Sequence, residues 1–174
     1  MWLGTSSFAK DYDYIGVEKC GKCHKKEKKG AQLKKWQDGP HAKAFKTLGT
    51  DSAKLVAKKA GVTGDPQKAP ECLKCHVTGY GLPAARFGEK FKAENGVGCE
   101  SCHGPGSAYK KKKIMKDHDK SVANGLVEIT EKTCTECHND KSPTFKDFNY
   151  EERVKDIAHP VPEGAKGGDD EEEE

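Results

Sequence analysis

The chain has 174 residues, the length of one domain, and only 33% of them are apolar against 34% charged. That balance excludes a side-chain core of ordinary size, and nineteen glycines with eight prolines argue against long regular elements. The formal charge is +3; without the six acids of residues 169–174, 31 basic against 22 acidic residues leave +9. Such a chain is either largely disordered or filled by something other than side chains.

In chain order, the opening nine residues end in Ser7-Phe8-Ala9, a small-x-small triplet that reads as the tail end of a signal peptide; an ordinary ragged terminus is the alternative. A first Cys-x-x-Cys-His run occupies Cys20 to His24. The segment from Ala31 to Asp38 reads as a short helix with Leu33 and Trp36 as apolar contacts, interrupted by Gly39-Pro40. A second helix carries His41, Phe45 and Leu48, and Asp51 is placed to cap a third that runs through Lys59 to Gly61. Residues 62–71 read as loop, followed by Cys72 to His76, and 79–98 as loops or short strands. Glycines crowd the third run, Cys99 to His103, as expected where backbone approaches a flat ligand closely. A helix is expected from Ser107 to Lys120, and Thr130 is placed to cap a turn entering the fourth run, Cys134 to His138. Pro143 to Ala158 is an amphipathic segment with Phe145, Phe148, Val154 and Ile157 near one face, and six acids close the chain in a tail expected to be disordered.

The eight cysteines resolve the question of the interior. All fall into Cys-x-x-Cys pairs, Cys20/Cys23, Cys72/Cys75, Cys99/Cys102 and Cys134/Cys137, and His24, His76, His103 or His138 follows each pair at once. This is the attachment signature of c-type haem. Two intervening residues set the sulfurs about as far apart as the porphyrin's two vinyl groups, and the next residue turns under the ring to offer its imidazole to the iron. Zinc also uses Cys-x-x-Cys pairs but does not require a histidine directly after each, and a disulfide framework would not repeat one spacing four times. The expectation is four covalent haems, in a single domain of mostly α-helix with long loops over residues 10–166. A signal-peptide remnant, 1–9, would precede it and the acidic tail, 167–174, would follow. Haem attachment of this kind takes place outside the cytoplasm, so the chain is expected to be periplasmic or extracellular. No apolar run is long enough to span a membrane.

Seven histidines are present; His41, His118 and His159 remain after the four proximal ones. Each lies on or at the end of an expected helix, and all three are candidate distal ligands. Bis-histidine iron is low-spin and changes oxidation state with little rearrangement. Three distal histidines do not serve four haems, so one iron is five-coordinate or bound otherwise. Met115, three residues before His118, is a candidate on the same helical face, or a core filler.

The run Trp36-x-x-x-x-His41-Ala42-Lys43-Ala44, the run Cys75-His76-Val77-Thr78-Gly79-Tyr80-Gly81, and the block from Gly96 to Gly106 carry a resemblance. The chain resembles the tetrahaem cytochromes c typified by the electron acceptor of hydroxylamine oxidoreductase in ammonia-oxidising bacteria. The resemblance covers residues 18 to about 140 well and is looser to His159. It implies a mostly helical fold around closely packed haems. It further implies ligand pairs His24–His118, His103–His41 and His138–His159, with His76 alone on the second haem.

The function these features favour is an electron carrier. It would take electrons from a donor dehydrogenase or cytochrome and pass them to an acceptor cytochrome or membrane complex. Two alternatives stand beside it: reduction of a small ligand such as nitric oxide at the open haem, and a subunit of a larger redox complex or haem polymer. Eight ionised propionates would contribute about −8, offsetting the basic excess, so nucleic-acid binding is not supported. The run Lys110 to Lys113 is either a steering patch for an acidic partner or a solvated helix face.

Overall fold

The computed structural model describes residues 12–162. The expected signal remnant and the acidic tail lie outside them. Ten short helices are found among the described residues, and no strand beyond one isolated bridge between Tyr14 and Phe87.

Helix α1 (Val17–His24) contains the first attachment run and packs on α2 (Gln32–Asp38). The Leu33 side chain lies against Gly21, where an added methyl would meet it at 2.8 Å. Past Gly39-Pro40 the chain makes a 3₁₀ turn, His41–Lys43, and continues as α3 (Ala44–Leu48), the helical segment expected there. Helix α4 (Asp51–Lys59) has its expected span but not its expected cap: Thr50 Oγ1, not Asp51, accepts from Ala53 N at 3.2 Å. A hydroxyl in an extended residue just outside the helix reaches the free N–H groups that a first-turn aspartate cannot. Helix α5 (Pro70–His76) starts on its proline, so the loop before it is shorter than 62–71. Residues 79–98 are loop with two 3₁₀ turns, Ala84–Arg86 and Ala93–Asn95.

Helix α6 (Cys99–His103) is the third run. The single helix expected over 107–120 is instead two, α7 (Lys112–Met115) and α8 (His118–Ala123). Asp117 is extended and its carboxylate accepts from Lys120 N at 3.0 Å, starting a new helix where the first stops. The fully buried Ser121 closes the pair by donating to Ile114 O at 2.9 Å. Met115 and His118 therefore do not share a helix face, and Lys110 to Lys113 straddle a bend and a helix start. Helix α9 (Glu131–Thr135) begins at the expected Thr130, as a capping box with Thr133. Helix α10 (Tyr150–Ile157) is half the expected amphipathic segment, because Asn149 caps it through Glu152 N. Phe145 and Phe148 precede it.

The buried apolar set is small: Ile15, Val17, Ala31, Leu48, Ala57, Ala69, Val77 and Tyr109 among the described residues. Among the glycines around the third run, Gly96 and Gly104 lie against backbone, and Gly98 and Gly106 against side chains. Gly104, at φ +75°, has the Gly125 carbonyl oxygen 2.6 Å from where a β-carbon would stand. Gly61, at φ +76°, has nothing near it. Alanine at either site must take a positive φ, at a cost of about 1–3 kcal/mol, and G104A adds an overlap costing about 1–3 kcal/mol. Thermal unfolding of the purified protein should show G104A clearly below G61A; equal losses would mean the Gly104–Gly125 approach contributes nothing.

Candidate haem-binding site

The four attachment runs are spread over 119 positions of sequence, from Cys20 to His138, and the fold draws them together in a particular order. The Cys20 and Cys99 thiols share a hydrogen bond, joining the first run to the third. Cys102 and Cys134 lie close enough for each other's charge to be felt, joining third to fourth. Cys137 and Cys75 share a hydrogen bond, joining fourth to second. None of the eight is in a disulfide.

Cys23 differs in exposure from the other attachment cysteines. It is exposed, whereas the other seven cysteines are at least partly buried, and the structure does not bring it against the sulfur of another run. The physical reason is its place on α1. The first run meets the third through Cys20, while Cys23 sits one turn on, next to the end of the helix, where the chain leaves the cluster.

Burial, then the Cys134 and Cys99 charges, raise the Cys102 thiol to about 11. Burial and then Cys75 push Cys137 up to about 12. In the coupled pair the shared hydrogen bond is the largest cause, raising Cys20 and lowering Cys99. Sulfurs this closely packed resist ionising together, and a thioether carries no charge, so the setting suits alkylated sulfur.

The histidines are set by backbone contacts. His76 Nδ1 lies 2.8 Å from Ala44 O, and His159 Nδ1 lies 2.8 Å from Ile157 O. A carbonyl can only accept, so each Nδ1 carries the proton and each Nε2 is left with its lone pair, the arrangement a metal-binding imidazole needs. Burial is the first cause lowering the titration of His24, His41, His103 and His138, which favours neutral rings.

Two histidine pairs face each other. The His41 and His138 ring centroids are 6.1 Å apart, and those of His103 and His159 are 5.9 Å apart. Two metal–nitrogen bonds of about 2 Å and two ring radii span roughly that distance, so the donor set fits an iron between each pair. The ring contacts differ from the ligand pairs the resemblance implied: His41 faces His138, where the resemblance pairs it with His103, and His159 faces His103, where the resemblance pairs it with His138. His138 is also stacked on Phe148 at 4.9 Å. His118 is 64% exposed, between Asp119 at 3.6 Å and Glu128 at 3.7 Å, and the structure brings no other histidine ring against it.

Three residues without an assigned role hold these elements. Trp36 Nε1 donates to Val97 O at 2.8 Å, while Val97 N donates to His41 O at 3.2 Å, so the tryptophan and the histidine five residues on grip one residue ahead of the third run. The buried Thr78 hydroxyl accepts from Gly98 N at 2.8 Å and lies 3.0 Å from Gly96 O and 2.8 Å from Ser101 Oγ, tying the second run to the third. The third is Glu100, inside the third run and 4% exposed. Its position between two attachment cysteines and among glycines was the available signal.

Four haem-attachment runs gathered in a helical fold with a sparse side-chain core define a multihaem c-type cytochrome. Two family models match, "Cytochrome c554 and c-prime" over residues 19–104 and "Cytochrome c552" over residues 84–161. The chain is 36% identical over 152 residues to cytochrome c-554 of Nitrosomonas europaea, covering 84% of this chain. It spans 58% of that relative's length. The fold is similar to the reduced state of cytochrome c554 from the same organism, with TM-score 0.64, 27% identity, and 87% of this chain and 86% of that chain covered. The chain belongs to the cytochrome c554 family and carries four c-type haems.

Substituting Trp36 by phenylalanine keeps the ring but removes the donor to Val97. An unsatisfied carbonyl costs about 1–3 kcal/mol, so W36F should lower the thermal midpoint of the holoprotein. An unchanged midpoint would mean that water takes over the bond and the Trp36 grip contributes little.

Proposed function

We propose that this chain is an exported electron carrier, working as a short conductor between redox proteins. The observation that carries this reading is that the fold gathers the attachment runs: Cys20 meets Cys99, Cys102 lies near Cys134, Cys137 meets Cys75, and Thr78, just past the second run, bonds Ser101 in the third. Haem supplies one-electron chemistry when bound. The chain's part is to hold four such sites side by side and to fix the electronic character of each through its ligands and surroundings.

His24, His76, His103 and His138 are the proximal ligands. His41 is the second ligand at the fourth site and His159 at the third, a reading supported by the facing rings. His118 serves the first site by elimination, and the second is left with His76 alone. Two imidazoles on an iron leave no place for substrate, so three sites conduct and only the second is open. Attachment chemistry requires export, and among the described residues no helix is long and apolar enough to cross a membrane. The partners are a donor and an acceptor redox protein.

Carbon monoxide binds ferrous haem only where a position is free. Reduced protein should bind about one per four haems, and H41A about two. In H41A that also carries C134S and C137S, the added binding should vanish, because it belongs to the fourth haem. Persistence of the added binding would place His41 on the third haem and restore the other pairing. Absence of any binding to the unaltered protein would close the second site and remove small-ligand reduction as a reading.

A further inference from the structure

Glu100 is a buried carboxylate between the two attachment cysteines of the third run. Its Oε1 accepts from Ile15 N at 2.9 Å and Gly106 N at 2.7 Å, and its Oε2 accepts from Gly16 N at 2.8 Å. All three contacts are donors to it, the set an ionised carboxylate takes. Among the described residues no cation lies within ion-pair distance. Lys92, which lines the same small cavity, is turned to Glu18.

The contacts give Glu100 a mechanical role. They latch the segment Tyr12 to Gly16 onto the third run, where Asp13 and Ser107 exchange two further hydrogen bonds: Asp13 N to Ser107 Oγ at 2.8 Å and Ser107 N to Asp13 O at 3.1 Å. A latch alone does not need a charge. Burying a carboxylate without a counter-ion is unfavourable even when it is hydrogen-bonded, and neutral side chains can accept N–H bonds without that cost. The other run positions show the contrast. At the place of Glu100 the first run has Gly21, the second Leu73 and the fourth Thr135; Glu136, one place on in the fourth run, is exposed.

We propose that Glu100 is a potential-setting residue, whose fixed negative charge holds the third haem, and to a lesser degree the first, at lower reduction potential than the fourth and second. The inference rests on the reading of four attached haems. Its physical basis is Coulomb attraction in a poorly screened interior: a ferric haem carries one more positive charge than a ferrous one, so a nearby anion favours the oxidised form. The Cys20 and Cys99 thiols, at the edges where the first and third haems attach, both feel the Glu100 charge. Glu100 lies inside the third run and is bonded beside the first, so its effect is greatest at the third site and electrons run downhill from there.

The test is spectroelectrochemical titration of the holoprotein, resolving four one-electron midpoints. E100Q removes the charge and should move at least one midpoint upward, with the two highest unmoved; E100D should return it. Should E100Q fail to fold, N95K places a cation in the cavity beside Glu100 with all three backbone bonds intact, and should raise the same midpoint. E136Q, at the exposed position, should change none. Four midpoints unmoved in E100Q, or in N95K if E100Q does not fold, would overturn the proposal and leave Glu100 as a latch. Fewer than four one-electron steps in the unaltered protein would instead overturn the reading of four haems.

Discussion

The covalent bond between a five-residue run and a porphyrin is the constraint on which the rest of this structure depends. It is made four times, and each time it fixes a short helix, two sulfurs and an imidazole in one geometry. The protein's own core is too sparse to do this work: the buried apolar set includes three alanines, and every helix among the described residues is nine residues or shorter. Helices of that length are marginal alone. They persist where caps, such as Thr50, Asp117, Thr130 and Asn149, and attachment points hold both ends.

A fold built this way depends on bringing the attachment runs together, and the chain spends its polar groups on doing so. Thr78 ties the second run to the third, Trp36 ties the helix before His41 to the residue ahead of the third, and Glu100 ties the N-terminal segment to the same place. The third run is thus the hub, with contacts from the N-terminal segment, the first run, the second run and the His41 turn. Tyr109 completes it, its hydroxyl lying 3.1 Å from His103 O and 2.9 Å from Gly104 O. The glycines there serve this crowding. They admit backbone against backbone, so that one short run can accept so many neighbours.

What was legible in the sequence is what is local. The cofactor type and number, the proximal histidines and the helix starting at Thr130 follow from spacings of a few residues. The break at Asp117 and the late start of α10 at Asn149 were obscured because an apolar pattern runs across them, while a single capping side chain decides the boundary. The facing of His41 with His138 and His159 with His103 was not legible, because it depends on how runs far apart in sequence approach one another. Nor does spacing distinguish Cys20, which is half-buried, from Cys23, which is exposed. Glu100 was visible as a residue but not as a buried one, since its three partners come from Ile15, Gly16 and Gly106.

Bound haem, and not the side-chain core, makes this chain a cooperative fold. Thermal unfolding of the haem-free chain, made where haem is not attached and followed by circular dichroism, tests it directly. The haem-free chain should give a weak helical signal with no cooperative transition, against a sharp one for the haem-loaded protein. A sigmoidal transition in the haem-free chain, near that of the holoprotein, would contradict it.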